Sequence, residues 1–394
     1  MAPGLVDNHL HGGQESSFRD KFPDGLKTSG QHPPLYELLR PYEDFPKHIS
    51  GPTVWETKDY QNNPERWTRH LTEAEISELS KAADDFIESG RPLAGISKEQ
   101  FPLPKLASTL EHIRCDLLDG KGFVLLKGFA VQEWGNPKSA VAYMGLGAHL
   151  GYAVSQNGRG HVLGHVKDLG EDSTQTDKVR IYRTSARQFF HADDSDLVGL
   201  LCIARAHEGG ESDIVSTHHV YNVLQAERPD VVETFTKPIW YFDRKGETSE
   251  GEEEWIRTSV LYLEKTPGGR VYMKWDPYFI TSLSRFSSKG IIPALTPEQQ
   301  SALTVLEEVC TRLSLHMILE VGDVQLLSNA HVLHARTAYT DPAPPAPRRQ
   351  LMRLWLSTPE EEGGWKLPFK DSGEIKRGGI QVNEMGAVAP LDAE

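Results

Sequence analysis

GDVQLLSNAHVLHARTAYTDPAPPAPRRQLMRLWLS, residues 322–357, reads as a strand, a histidine-bearing turn, a proline-rich loop and a second strand that returns the chain beside the histidines. On the returning strand Arg349, Leu351, Arg353 and Trp355 share one face by the period-two rule. Two guanidinium groups turned inward among Leu and Trp are costly unless an anion meets them. A carboxylate ligand matches the planar guanidinium fork. A salt bridge to a core Asp or Glu is the structural alternative.

Working outward, QFFHADDSDLVG at 188–199 holds His191 and, two positions on, Asp193. Among sixteen histidines, His191 alone has a carboxylate at that spacing. Side chains at i and i+2 of an extended chain point the same way, so the pair can grip one ion. A remote second His would complete a two-His-one-carboxylate set, which leaves adjacent coordination positions open for a bidentate 2-oxo acid and O2 and suits iron(II). Taken alone, an H-x-D also fits a polar turn.

Further strand-like runs lie at 122–129, 179–183, 197–204, 213–216, 238–242, 258–264, 270–275 and 316–321. Thr72 and Glu75 form a capping-box pattern that opens a helix with Ile76, Leu79, Ala83, Phe86 and Ile87 on one side, stopped by Gly90. Leu106, Leu110, Ile113, Leu117 and Leu118 repeat that pattern before Gly120. Other helices are expected from about Pro137 to Leu150, from near Ser216, and from Thr296, Pro297 and Gln299. The acidic, Gly-interrupted GETSEGEEEW at 246–255 reads as a solvated loop or mobile lid. Many short strands with helices concentrated on one side predict a mainly β fold with flanking helices, a double-stranded β-helix (jelly roll) with one helical layer. Residues 1–70 read as an extended arm, 71–360 as the domain, and 361–394 as an extension packed on it.

The 394 residues suit one elaborated domain, and 38% hydrophobic against 25% charged residues provide for a real core. A net charge of −14 argues against a nucleic-acid partner, because phosphate contacts need clustered Lys and Arg, and favours a small-molecule substrate. Cys115, Cys202 and Cys310 are far apart and lack any C-x-x-C spacing, which fits a reducing, cytoplasmic setting. The start MAPGLVDNHLHGG lacks a secretory pattern, and apolar runs such as LVGLLCIA at 197–204 are too short to span a membrane. The oligomeric state is not legible in the sequence.

FFHADDSD, EGGESDIVS at 208–216, LSNAHVLHARTAY at 327–339 and RRQLMRLWL at 348–356, in that order, resemble the taurine dioxygenase-like (clavaminate synthase-like) Fe(II)/2-oxoglutarate oxygenases, including their fungal-type branch, over roughly residues 120–360. The resemblance implies a jelly roll that uses Fe(II), 2-oxoglutarate and O2. It makes His191, Asp193 and His334 the iron ligands, Arg353 the partner of the distal 2-oxoglutarate carboxylate, Arg349 its neighbouring support, and Ser212 a hydroxyl beside the cosubstrate. His331 is the rival ligand; His334 is preferred because it sits in the family's Leu-His-x-Arg-Thr context. The long Pro-rich segment 342–347 departs from the family pattern and leaves the division of labour between Arg349 and Arg353 open. The implied reaction oxidises a C–H bond of a small polar or amino-acid-like substrate and releases succinate and CO2. Its outcome is hydroxylation, or oxidative cyclisation such as aziridine formation from a valine-like amino acid in secondary metabolism.

Candidate substrate-pocket residues are Gln156, Asn157 and Arg159 in VSQNGRG, Tyr182 and Arg183, and Phe190 beside His191, because polar groups interleaved with aromatics suit a small charged ligand. His161 and His165 have the spacing of a helical metal pair, but the glycines around them disfavour a helix and leave a core or pocket-lining role. His218 and His219 fit a helix start. Two readings from other classes compete: a non-catalytic metal-binding jelly roll, against which the arginine pair counts, and a zinc hydrolase, which lacks an obvious general base near the H-x-D.

Overall fold

The structure, a computed structural model, describes residues 39–264, 269–367, 378–380, 382 and 385–393. Most of the expected N-terminal arm therefore lies outside the described residues.

Local chemistry sets the helices. At Glu73–Glu88 the Thr72 side chain accepts from the Glu75 amide while the Glu75 carboxylate takes the Thr72 amide, and Arg69 grips the same carboxylate. Thr296 and Gln299 cap Pro297–Leu313 in the same way. Ser216 caps Thr217–Glu227 by accepting from the His219 amide. The helix expected over 137–150 runs from Val131 to Gly147, broken at Gly135, whose φ of 66° is outside helical space.

The larger sheet has the order Thr68–His70, Phe123–Lys127, Val324–Ser328, Leu197–Ala204, Gln350–Ser357 and Tyr152–Ala153, with Leu163–Lys167 also paired to Gln350–Ser357. The smaller sheet runs Leu315–Met317, Ser212–Ser216, Val332–Arg336 and Gln188–His191. Alternation divides each strand between two environments. From the larger sheet Leu126, Leu201, Leu326, Met352 and Leu354 pack outward on the helices at 73–88, 107–119 and 131–147. Val198, Leu200, Leu351 and Trp355 face inward to Ile214, Leu315 and Val332 of the smaller sheet. Phe190, Val215, Leu333 and Ala335 turn out from the smaller sheet toward the helices at 217–227, 229–236 and 297–313.

The two-sheet jelly roll is thus present, but helices cover both outer faces rather than one. Amphipathic spacing states that a helix has a buried side, not which sheet it meets. The strand expected at 179–183 is instead a short 3-10 turn, Ile181–Arg183, because Arg183 N closes onto Arg180 O and overrides the extended preference of Val179 and Ile181. Strands Trp240–Asp243 and Trp255–Thr258 pair across the acidic loop, whose Glu247 takes the Gly158 amide and pairs with Arg180. Among the described residues no helix is long and apolar enough to cross a membrane.

The described C-terminal pieces lie against the body: Ile380 N donates to Ser155 O and Val388 N to Gly160 O. Trp365 stacks on His331 at 5.5 Å, His331 on His218 at 5.9 Å, and Arg270 covers the indole at 3.8 Å. Burial pushes His218 down to about 4 and His331 to about 3, so both are neutral in the fold. Unfolded imidazoles bind protons below about pH 6.5, so each should remove roughly 1.4 kcal/mol of stability per pH unit from there down toward its folded value. Thermal melts between about pH 7.5 and 4.5 should show this loss, and replacing both imidazoles with Gln should flatten the profile. An equally steep profile in that variant would refute the assignment.

Candidate active site

Strands Gln188–His191 and Val332–Arg336 pair antiparallel and set His191 opposite His334, with ring centroids 4.1 Å apart. Asp193 lies just past the first of these strands, its amide fixed by Asn329 Oδ1 at 3.1 Å. His334 Nε2 is 3.7 Å from Asp193 Oδ2. One ligand atom from each of His191, Asp193 and His334 falls within 4.8 Å of the others, all three residues are buried, and no other such group occurs among the described residues.

The protonation pattern suits a cation. His191 Nδ1 lies 2.9 Å from Phe189 O; a carbonyl only accepts, so Nδ1 carries a hydrogen, and Nε2, 2.9 Å from the Gln188 amide nitrogen, is the ring atom left to face a ligand. Burial and the neighbouring His191 push His334 down to about 3, which keeps it neutral. Burial works against ionisation of Asp193, but the Arg353 guanidinium, 3.3 Å from Oδ1, together with His334, His191 and Trp355 around it, outweighs burial and holds the carboxyl below its ordinary range. Asp193 Oδ2 and His334 Nδ1 are buried with no hydrogen-bond partner, a cost that a ligand at the cluster would relieve at the carboxylate. His331 is elsewhere: its Nε2 is 3.0 Å from Leu117 O, in the stack with Trp365.

The two sequence-predicted arginines have different surroundings. Arg353 donates from Nε to Gln156 Oε1 at 2.8 Å, reaches Asp193, and lies over Tyr182 at 4.7 Å. Arg349 donates from Nη2 to Gly210 O at 3.1 Å, and its buried Nη1 has no partner. Four residues of extended chain separate them by about 13 Å. One cavity joins His191 and His334 to Ser212, Gln325, Arg336 and both Arg349 and Arg353. Ser212 Oγ and the Gln325 amide hydrogen-bond each other at its wall. Gly210 is required there: its φ is 78°, and a Cβ would come within 2.7 Å of Arg349 Nε.

The candidate substrate residues divide. Tyr182 faces Arg353 beside the cluster. Gln156 is committed to Arg353, with Nε2 donating to Arg353 O and Oε1 accepting from Nε, so it supports that arginine instead of presenting free groups. Asn157 Oδ1 shapes its own turn by accepting from Arg159 N, and Arg159 is exposed. Arg183 pairs with Glu171 at 2.7 Å. Phe190 points into the outer core, away from His191. His165 lies on a strand, its Nε2 2.9 Å from Pro390 O. Sequence reasoning passed over Gln188, whose amide is 2.9 Å from His191 Nε2, and Arg336. Period two from His334 along its own strand was the available signal for Arg336.

A jelly roll with two imidazoles and one carboxylate converging between its sheets defines the class of non-haem, facial-triad oxygenases. Residues 89–355 match the family described as taurine catabolism dioxygenase TauD, TfdA family. FR-33289 synthase of Streptomyces rubellomurinus is 28% identical over 330 residues, 83% of this chain and 94% of that protein. A taurine hydroxylase-like protein of Stachybotrys chartarum is 29% identical over 308 residues, 76% of each chain. Among solved structures, asparagine oxygenase with Fe(II), 3-hydroxyasparagine and succinate superposes with a TM-score of 0.54 at 17% identity, covering 74% of this chain and 94% of that one. OrfP with Fe and alpha-ketoglutaric acid gives 0.53 at 17% identity, with 74% and 93% coverage. The chain belongs to the TauD/TfdA family of dioxygenases.

Proposed function

We propose that this dioxygenase uses Fe(II), 2-oxoglutarate and O2 to oxidise a C–H bond of a small, amino-acid-like substrate, with His191, Asp193 and His334 as the iron ligands. The observation that carries the reading is the convergence of two imidazoles and a carboxylate, whose Oδ2 is buried without a partner. When bound, iron with 2-oxoglutarate supplies the oxidation, and succinate and CO2 are the co-products.

The chain's own residues bind and orient. The Phe189 carbonyl fixes the His191 tautomer, and Asn329 fixes the backbone of Asp193. Arg349, with an unpartnered Nη1 at the end of the cavity away from Asp193, suits the distal carboxylate of 2-oxoglutarate. Arg353 touches Asp193 and is held by Gln156, so it acts at the iron end, where it keeps the ligand carboxylate ionised and faces the space under Tyr182. Ser212 and Gln325 form a polar wall between the two ends.

An amino-acid-like substrate is favoured by the solved relatives named for 3-hydroxyasparagine and hydroxy-L-Arg. Hydroxylation is the simplest outcome, and ring closure of a valine-like amino acid to an aziridine is the finer reading. A cytoplasmic location is part of the proposal.

The test is an anaerobic titration of Fe(II)-loaded protein with 2-oxoglutarate, followed by aeration across an amino-acid panel. A visible chelate band, perturbed by the true substrate, and O2-dependent succinate release are expected. Mass spectrometry then separates gain of one oxygen atom from loss of two hydrogens. Absence of both band and succinate would end the reading.

A further inference from the structure

Arg336 lies two residues beyond His334 on the same strand and therefore faces the same space between the sheets. Its side chain is buried and lines the cavity that His191, His334 and Arg349 share. Its Nη2 donates to Thr184 O at 3.0 Å and to Ala186 O. Its Nε and Nη1 are buried and have no hydrogen-bond partner, like Nη1 of Arg349. Both guanidiniums approach the same ring, each 4.9 Å from the centroid of Tyr339.

Among the described residues no carboxylate forms an ion pair with either guanidinium. The acids in electrostatic range, Asp168 and Asp341, are both taken by Arg348 at 2.8 Å, and Asp341 also accepts the Arg349 amide at 2.8 Å. Glu211 is bound to the Thr337 hydroxyl. Burial lowers both guanidiniums, and Arg349 further discourages the charge of Arg336, which falls to about 10 and so stays protonated near neutrality. Two like charges with three unspent donors inside one cavity form an incomplete arrangement: desolvation has been incurred and the counter-charge is missing. A carboxylate has two oxygens and about four lone-pair sites, enough for both forks.

We propose that Arg336 is a second cosubstrate-binding residue: the far carboxylate of 2-oxoglutarate is held between Arg336 and Arg349, not by a single arginine. This rests on the oxygenase reading above. The competing role is a strut, in which Arg336 serves only to hold the 184–186 turn through Nη2.

Calorimetry under anaerobic conditions on the Fe(II)-loaded full chain separates these. The titrants are 2-oxoglutarate and 2-oxobutyrate, which share the 2-oxo acid head and differ in the far carboxylate. Wild type should prefer 2-oxoglutarate. Arg336→Gln should cut that preference about ten- to a hundred-fold, through weaker 2-oxoglutarate binding with 2-oxobutyrate unchanged. Arg336→Lys, which keeps charge without the fork, should recover part of it. If Arg336→Gln does not fold, Arg336→Lys carries the test with a several-fold loss of preference. An unchanged ratio in the variants, or equal weakening of both acids, overturns the proposal in favour of the strut and leaves the oxygenase reading intact. Wild type that binds neither acid overturns the oxygenase reading itself.

Discussion

Alanine at His191, Asp193 or His334 is expected to lower O2-dependent succinate release by on the order of a thousand-fold or more, whereas His331→Ala should keep measurable iron binding. The contrast follows from register. His334 sits directly across from His191, and its Nε2 is 3.7 Å from Asp193. His331 spends its Nε2 on Leu117 O and its ring faces on Trp365 and His218. Asp193→Ala should also lower stability, by about 3–5 kcal/mol, because Arg353 would remain buried beside a missing carboxylate. Asp193→Asn reduces that steric change while still removing the charge. Ferrous-ion titration and circular dichroism on each variant separate lost metal binding from lost folding. Turnover that survives His334→Ala but not His331→Ala would overturn the ligand set.

How much of this was legible depends on whether one strand or several decide a residue's place. The period-two rule put Arg349 and Arg353 on one inward face, and the structure buries both side chains there. The same rule, applied to Phe190 next to His191, places the phenyl ring on the opposite side, in the outer core where the structure has it. It also points from His334 to Arg336. Other features lie in pairings that no local pattern encodes. Gln156 binds Arg353 across 197 residues of chain, and the 154–162 loop is met by the C-terminal residues Ile380 and Val388. Helix spacing disclosed Leu79, Ala83 and Phe86 on the buried side of 73–88, but Ile87, expected with them, is exposed. The spacing did not show that helices 73–88 and 297–313 cover opposite sheets. The turn at Ile181–Arg183 defeated β propensity because a local hydrogen bond and the stacking of Tyr182 on Arg353 decide its shape.

Substituting each arginine by Gln should produce different losses. Arg349→Gln is expected to raise the 2-oxoglutarate KM by about ten- to a hundred-fold, with little change in iron affinity, because it removes a charge-assisted donor far from the metal cluster. Arg353→Gln removes the cation 3.3 Å from Asp193 Oδ1, the strongest of the groups that oppose burial there, so the carboxyl's pKa rises. Iron retention should therefore weaken in that variant, and most at low pH, where protonation competes with the metal. Ferrous-ion affinity measured between about pH 6 and 8 supplies the discriminating readout. Should Arg353→Gln instead raise the 2-oxoglutarate requirement at constant iron affinity, with Arg349→Gln silent, the distal clamp belongs to Arg353. The orphaned Nη1 of Arg349 argues for the first outcome, since a buried guanidinium donor is retained at a cost that only a bound anion repays.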